Sequence, residues 1–138
     1  MEFPASIKEN RRNIYRMLFF ALVFTLLGLF FHEAGHYEVG AMYDLHPKWD
    51  LLSGEGDGGF KFAGITIDPT DACTEKKFYL GGIMMTLIYL LVLCLVFLTA
   101  DDRWLKFAAG IVIILHLFIL FHGISPEGDV SKFLELRC

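Results

Sequence analysis

Charge is scarce in this chain: Asp, Glu, Lys and Arg make up 20% of its 138 residues, against about 25% in a soluble domain. With so few charges and 55% hydrophobic residues, a disordered polymer is excluded, because disorder requires low hydrophobicity and high charge. Positive charge is not in excess either. Twelve Lys and Arg against sixteen Asp and Glu leave a net charge of −4, so no nucleic-acid partner is expected. Cysteine is limited to Cys73, Cys94 and Cys138, too few for a disulfide-stapled secreted mini-domain. Cys94 lies inside an apolar run and reads as a packing residue. A Cys73–Cys138 disulfide is compatible with the layout of the chain but not indicated by it.

What the chain has instead is long uncharged runs. Residues 17–31, 78–100 and 107–121 carry no Asp, Glu, Lys or Arg, and the last is interrupted only by His116. A bilayer span takes about 20 apolar residues, and a 15.7 kDa soluble fold has no interior for three such segments. The expectation is an all-α integral membrane protein in a lipid bilayer. It has a single domain, 1–138, with three transmembrane helices at about 17–42, 78–99 and 104–123. The first run alone would reach only about 22 Å at 1.5 Å per residue, so its helix must continue to Met42 to cross. No small-x-small cleavage site follows Phe31, so this span is expected to be retained despite its signal-like basic flank of Lys8, Arg11, Arg12 and Arg16. That flank would hold the amino terminus in the cytoplasm, although with the flank included six Lys and Arg fall on each side of the membrane.

Between the first two helices, residues 44–77 form a polar, glycine-rich stretch that reads as loop and strand. Phe60, Phe62, Ile65 and Ile67 alternate with small or polar residues around Ala63-Gly64, suggesting a small β-hairpin or ribbon. Asp101-Asp102-Arg103 leaves room only for a tight turn, making the second and third helices antiparallel neighbours. Residues 125–130 break the third helix, and 131–136 have room for another turn or two.

The chemistry is concentrated at His32-Glu33-Ala34-Gly35-His36. On a helix, residues four apart stand one above the other, so both imidazoles can reach one metal ion. Glu33 is rotated about 100° from His32, beside such an ion rather than on it. There it can act as general base for a water that Zn²⁺ has made acidic. Two His and a Glu at the end of an apolar run are expensive in a membrane unless they serve a metal, a proton path or one another. A third ligand is required. The extended motif of soluble zinc peptidases would need Gly and His where this chain has Val39 and Met42. The candidates left are His122, Glu127 and Asp129, at the end of the third helix. His116, in mid-span, reads as a hydrogen-bonded packing residue.

These residues resemble the site-2 protease family of intramembrane zinc metalloproteases. His32-Glu33-Ala34-Gly35-His36 matches the family's first-helix motif. Leu80-Gly81-Gly82-Ile83-Met84-Met85-Thr86, following a glycine-rich β-like segment, looks like its Gly-Pro-x-x-Asn region, with Thr86 where the family usually carries Asn. Pro126-Glu127-Gly128-Asp129 is similar to the segment bearing its ligand aspartate. The likeness runs from about Leu18 to Phe133. It implies a zinc metallopeptidase that hydrolyses a peptide bond in or near a membrane-spanning protein substrate. His32, His36 and Asp129 would bind the metal, Glu33 would be catalytic, and Thr86 with Gly82 would contact substrate. An exposed edge of the ribbon, Gly59 to Ile67, could accept an unwound substrate segment by backbone pairing.

Two other readings stand beside this one. The first is a non-hydrolytic membrane-bound binding or regulatory subunit that retains the metal-site helices, favoured by Thr86 and opposed by Glu33. The second is a metal-handling or electron-transfer subunit using His32, His36, His116 and His122. The last two are six residues apart on one helix and so face quite different directions.

Overall fold

The fold is described from a computed structural model over residues 5–54, 60–122 and 129–138, with side chains at 9–50, 64–120 and 129–138. Among the described residues the element order is α1 (Ala5–Met42), β1 (Lys48–Gly54), β2 (Phe60–Thr66), α2 (Ala72–Thr99), α3 (Arg103–His122) and α4 (Asp129–Glu135). Three of the helices, α1, α2 and α3, are long and apolar enough to cross a membrane. A two-stranded antiparallel sheet lies between the first two of them.

The apolar runs locate the helices, and polar helix formers extend them. The sequence places the first helix start near Arg16, yet α1 begins at Ala5, because no Gly or Pro separates residues 5–16 from the apolar run. α2 starts six residues before its apolar run. Asp71 caps it: Oδ1 accepts from the amides of Cys73 at 2.9 Å and Thr74 at 3.1 Å, and Oδ2 accepts from the Thr74 hydroxyl at 2.7 Å. Asp102 does the same for α3, its Oδ1 accepting from the Trp104 amide at 2.8 Å. Its Oδ2 meets Arg16 Nη2 at 2.7 Å, which ties the α2–α3 turn to α1 at that end of the bundle. The ribbon differs in detail from its sequence reading. Residues 60–66 form one strand rather than two, paired with a strand the alternation did not reveal, in the register Lys48↔Thr66, Trp49↔Ile65, Asp50↔Gly64.

The three long helices pack on one another, and α4 packs on α2. α1 and α2 come close at Gly35 and Gly81, where a Cβ on either would run into the other's backbone. Tyr89, Leu93, Ala109 and Val112 form the centre of the packing. The Tyr89 hydroxyl donates to the Phe24 carbonyl. His116, 3% exposed, packs as expected of a mid-span histidine. Its Nδ1–H donates to the Val112 carbonyl at 3.0 Å, and its ring lies 5.5 Å from that of Tyr89. Outward faces carry large apolar side chains, including Leu91, Leu98 and Ile114 at 63–70% exposure, a surface suited to lipid rather than water. The ribbon is held against α1 by Trp49, whose ring stacks 5.8 Å from Phe30 and 6.0 Å from Tyr37. Cys73, Cys94 and Cys138 are free thiols.

Candidate metal centre

α1 carries His32 and His36 one turn apart, both facing α2. Each ring is fixed by a hydrogen bond from its inner nitrogen. His36 Nδ1–H donates to the Phe78 carbonyl at 2.8 Å. His32 Nδ1–H donates to the Thr86 hydroxyl at 2.8 Å, with the Gly82 carbonyl 3.2 Å away. The Thr86 hydroxyl in turn donates to that carbonyl at 3.0 Å. With Nδ1 the protonated nitrogen on both rings, both Nε2 lone pairs are left for a common point. The rings stand nearly perpendicular, and the two Nε2 atoms are 3.3 Å apart.

Asp129 completes the group. It is the first residue of α4, and its Oδ2 lies 2.8 Å from His32 Nε2 and 2.9 Å from His36 Nε2. Among the described residues these three form the one group of potential ligands that could hold a metal ion. Burial alone would raise the Asp129 carboxyl, but the two imidazoles set against its Oδ2 outweigh it and hold it well below the usual carboxylate range.

The donors fit a tetrahedral ion. Zinc with ligands at 2.0–2.1 Å needs donor–donor edges of about 3.3 Å; the edge between the histidines is 3.3 Å, and the two edges to Asp129, 2.8 and 2.9 Å, would open by about 0.4–0.5 Å around the ion. Two His and one carboxylate are also a donor set that leaves a fourth position open. Of the two other third-ligand candidates, Glu127 lies outside the described residues, as does the side chain of His122.

Two clefts meet at this centre. One, of about 310 Å³, is bordered by His32, Glu33 and His36 of α1, by Phe78 and Tyr79, by Lys132 of α4, and by residues 64–67 of the ribbon. The other, of about 220 Å³, is mostly apolar and runs from His32 and Asp129 between Ile83 and Thr86 of α2 and Ile119 and Leu120 of α3. A larger cavity of about 580 Å³, among Arg11, Arg12 and Arg16 at the far end of α1, includes none of the ligand residues.

The described residues that the resemblance offered for the site thus lie at one place, whereas His116 packs elsewhere in the bundle. His32, His36 and Asp129 converge, and Glu33 borders the same cleft. Thr86 and Gly82 sit against the histidines: a Cβ on Gly82 would strike the His36 ring. The Phe78 carbonyl and the side chains of Tyr79 and Lys132 were missed by sequence reasoning. A carbonyl leaves no sequence signal, but Lys132 stands three residues after Asp129, a spacing that shares a helix face. This combination of a helical bundle and a His-His-Asp centre was compared with protein-family models, curated proteins and solved structures. The chain matches none of them.

Proposed function

We propose that the chain is a multi-pass integral membrane zinc metallopeptidase of site-2 protease type, hydrolysing a peptide bond in or near a membrane-spanning protein. The observation that carries the reading is the meeting of His32, His36 and Asp129, with histidines and aspartate 93 residues apart in sequence, in a cleft that Glu33 also borders. His32, His36 and Asp129 would hold zinc. The ion supplies Lewis acidity, polarising a peptide carbonyl and easing deprotonation of water near neutral pH. Glu33 accepts the proton of the attacking water as the new C–O bond forms, then delivers it to the amide nitrogen as the C–N bond breaks. The Phe78 carbonyl and Thr86 hydroxyl keep the histidines in one tautomer and orientation.

The ribbon supports a substrate role. Side chains alternate along a strand, so a border of four consecutive residues, 64–67, points to the backbone edge rather than to one face of the sheet. β1 occupies the other edge. A transmembrane substrate must surrender helical hydrogen bonds before cleavage, and pairing along β2 would replace them.

The test compares the full chain with Glu33→Gln, both zinc-loaded, on a transmembrane reporter peptide. Glu33→Gln should retain stoichiometric zinc and lose about 10²–10⁴-fold in turnover, the usual worth of a positioned acid–base group. Undiminished hydrolysis by Glu33→Gln, or no zinc bound by the parent, refutes the reading.

A further inference from the structure

Peptide hydrolysis places negative charge on the carbonyl oxygen as the carbon becomes tetrahedral, and sites that accelerate it aim fixed donors at that charge. The resemblance makes Thr86 a substrate contact, but its hydroxyl is engaged by His32 Nδ1–H and the Gly82 carbonyl. The cleft itself contains two carboxylates, Glu33 and Asp129, and among the described residues one cationic side chain, Lys132.

We propose that Lys132 is a further catalytic residue, its ammonium donating a hydrogen bond to the oxygen that becomes negative. The inference rests on the protease reading above. Three observations carry it. Lys132 borders the cleft with His32, Glu33, His36 and Asp129. It stands three residues after Asp129 on the same short helix, so the two side chains share a face and α4 positions both together. And it is held in place: Lys132 Nζ lies 5.3 Å over the Tyr79 ring, which meets the His36 ring at 6.2 Å in a near-perpendicular contact. Tyr79 is itself fixed, its hydroxyl donating to Glu75 Oε1 at 3.2 Å. A second contact seats the helix, with Lys76 Nζ 4.9 Å over the Phe133 ring and donating to the Leu136 carbonyl at 3.0 Å. A lysine tethered in this way loses little further freedom when the oxygen charges, which is the requirement for a preorganised donor. No proton is transferred from Lys132. The proton taken from water passes through Glu33 to the leaving nitrogen, and the ammonium remains protonated throughout.

The experiment uses the zinc-loaded full chain in detergent, its Lys132→Met and Lys132→Arg variants, a transmembrane reporter, and a phosphinic peptide whose anionic oxygens imitate the tetrahedral state. Lys132→Met should lower kcat about 10²-fold, with KM and zinc content unchanged. It should weaken the phosphinic peptide by a similar factor, because such analogues follow transition-state affinity. Lys132→Arg, which keeps the charge, should recover at least tenfold of the loss. Parent-like kcat in Lys132→Met overturns the proposal. So does a rise in KM alone, which would mark Lys132 as a ground-state contact to a substrate carboxylate, and so does loss of zinc, which would mark it as structural. Failure of the protease reading looks different: the zinc-loaded parent hydrolyses nothing, and both claims fall together.

Discussion

Replacing Thr86 with Val tests how the centre is held together. Val keeps the branched shape but cannot accept the His32 Nδ1–H, now 2.8 Å from the hydroxyl. It also removes the donor that the Gly82 carbonyl receives at 3.0 Å. Outer hydrogen bonds to metal-bound histidines are worth about 10–100-fold in metal affinity. Here the loss belongs at the lower end. The Gly82 carbonyl is already 3.2 Å from His32 Nδ1, and freed of Thr86 it can take the proton alone. We therefore expect zinc to bind about tenfold more weakly to Thr86→Val, equivalent to about 1.4 kcal/mol. Thr86→Ser, which restores the hydroxyl, should bind nearly as the parent. The assay is competition against a chromophoric chelator, on the full chain in micelles, with circular dichroism to verify that the helices persist. A substrate contact alone would give a different result, lower turnover at unchanged zinc affinity. Zinc affinity in Thr86→Val within twofold of the parent, or equal losses for Val and Ser, would show that the hydroxyl does not orient His32.

Gly35→Ala should push α1 and α2 apart, because its methyl would meet the Gly81 backbone and lie 2.7 Å from Met85 Cγ. Overpacking of this kind costs about 1–3 kcal/mol. It should appear as a lower thermal midpoint together with weaker zinc binding, and an unchanged midpoint would contradict the close approach. Asp102 gives a pH-dependent prediction. The Trp104 amide holds its carboxyl below the usual range, opposed by slight burial and aided by the Leu105 amide and Arg16. A folded-state value lowered in this way contributes stability that is present above the unfolded value of about 3.9 and lost as pH falls through the folded one. The thermal midpoint of the parent should therefore exceed that of Asp102→Asn near neutral pH, and the gap should close below about pH 4. A gap constant with pH would mean that the charge on Asp102 is irrelevant to the turn.

What the sequence determined by itself was everything that depends on neighbours along the chain. Uncharged runs of this length specify helices long enough for a bilayer, since in lipid a continuous apolar run satisfies its amides by hydrogen bonds within the segment. The four-residue spacing of His32 and His36 places both on one helix face, whatever that helix packs against. The tight turn at 101–103 makes α2 and α3 antiparallel. Tertiary structure decided the rest, because the remaining partners are distant in sequence. Pairing of β1 with β2 is a register between strands, and the alternation in 60–67 alone could not reveal it. Likewise, nothing local distinguishes Asp129 from its near neighbours as a ligand. It qualifies because α4 docks on α2 and brings its carboxylate within 2.9 Å of two histidines 93 and 97 residues earlier. The same docking sets Lys132 over Tyr79, and the contact of Gly35 with Gly81 brings Thr86 beneath His32. Each of these depends on how far apart two helices lie, and that distance is set by packing between segments that the sequence lists separately.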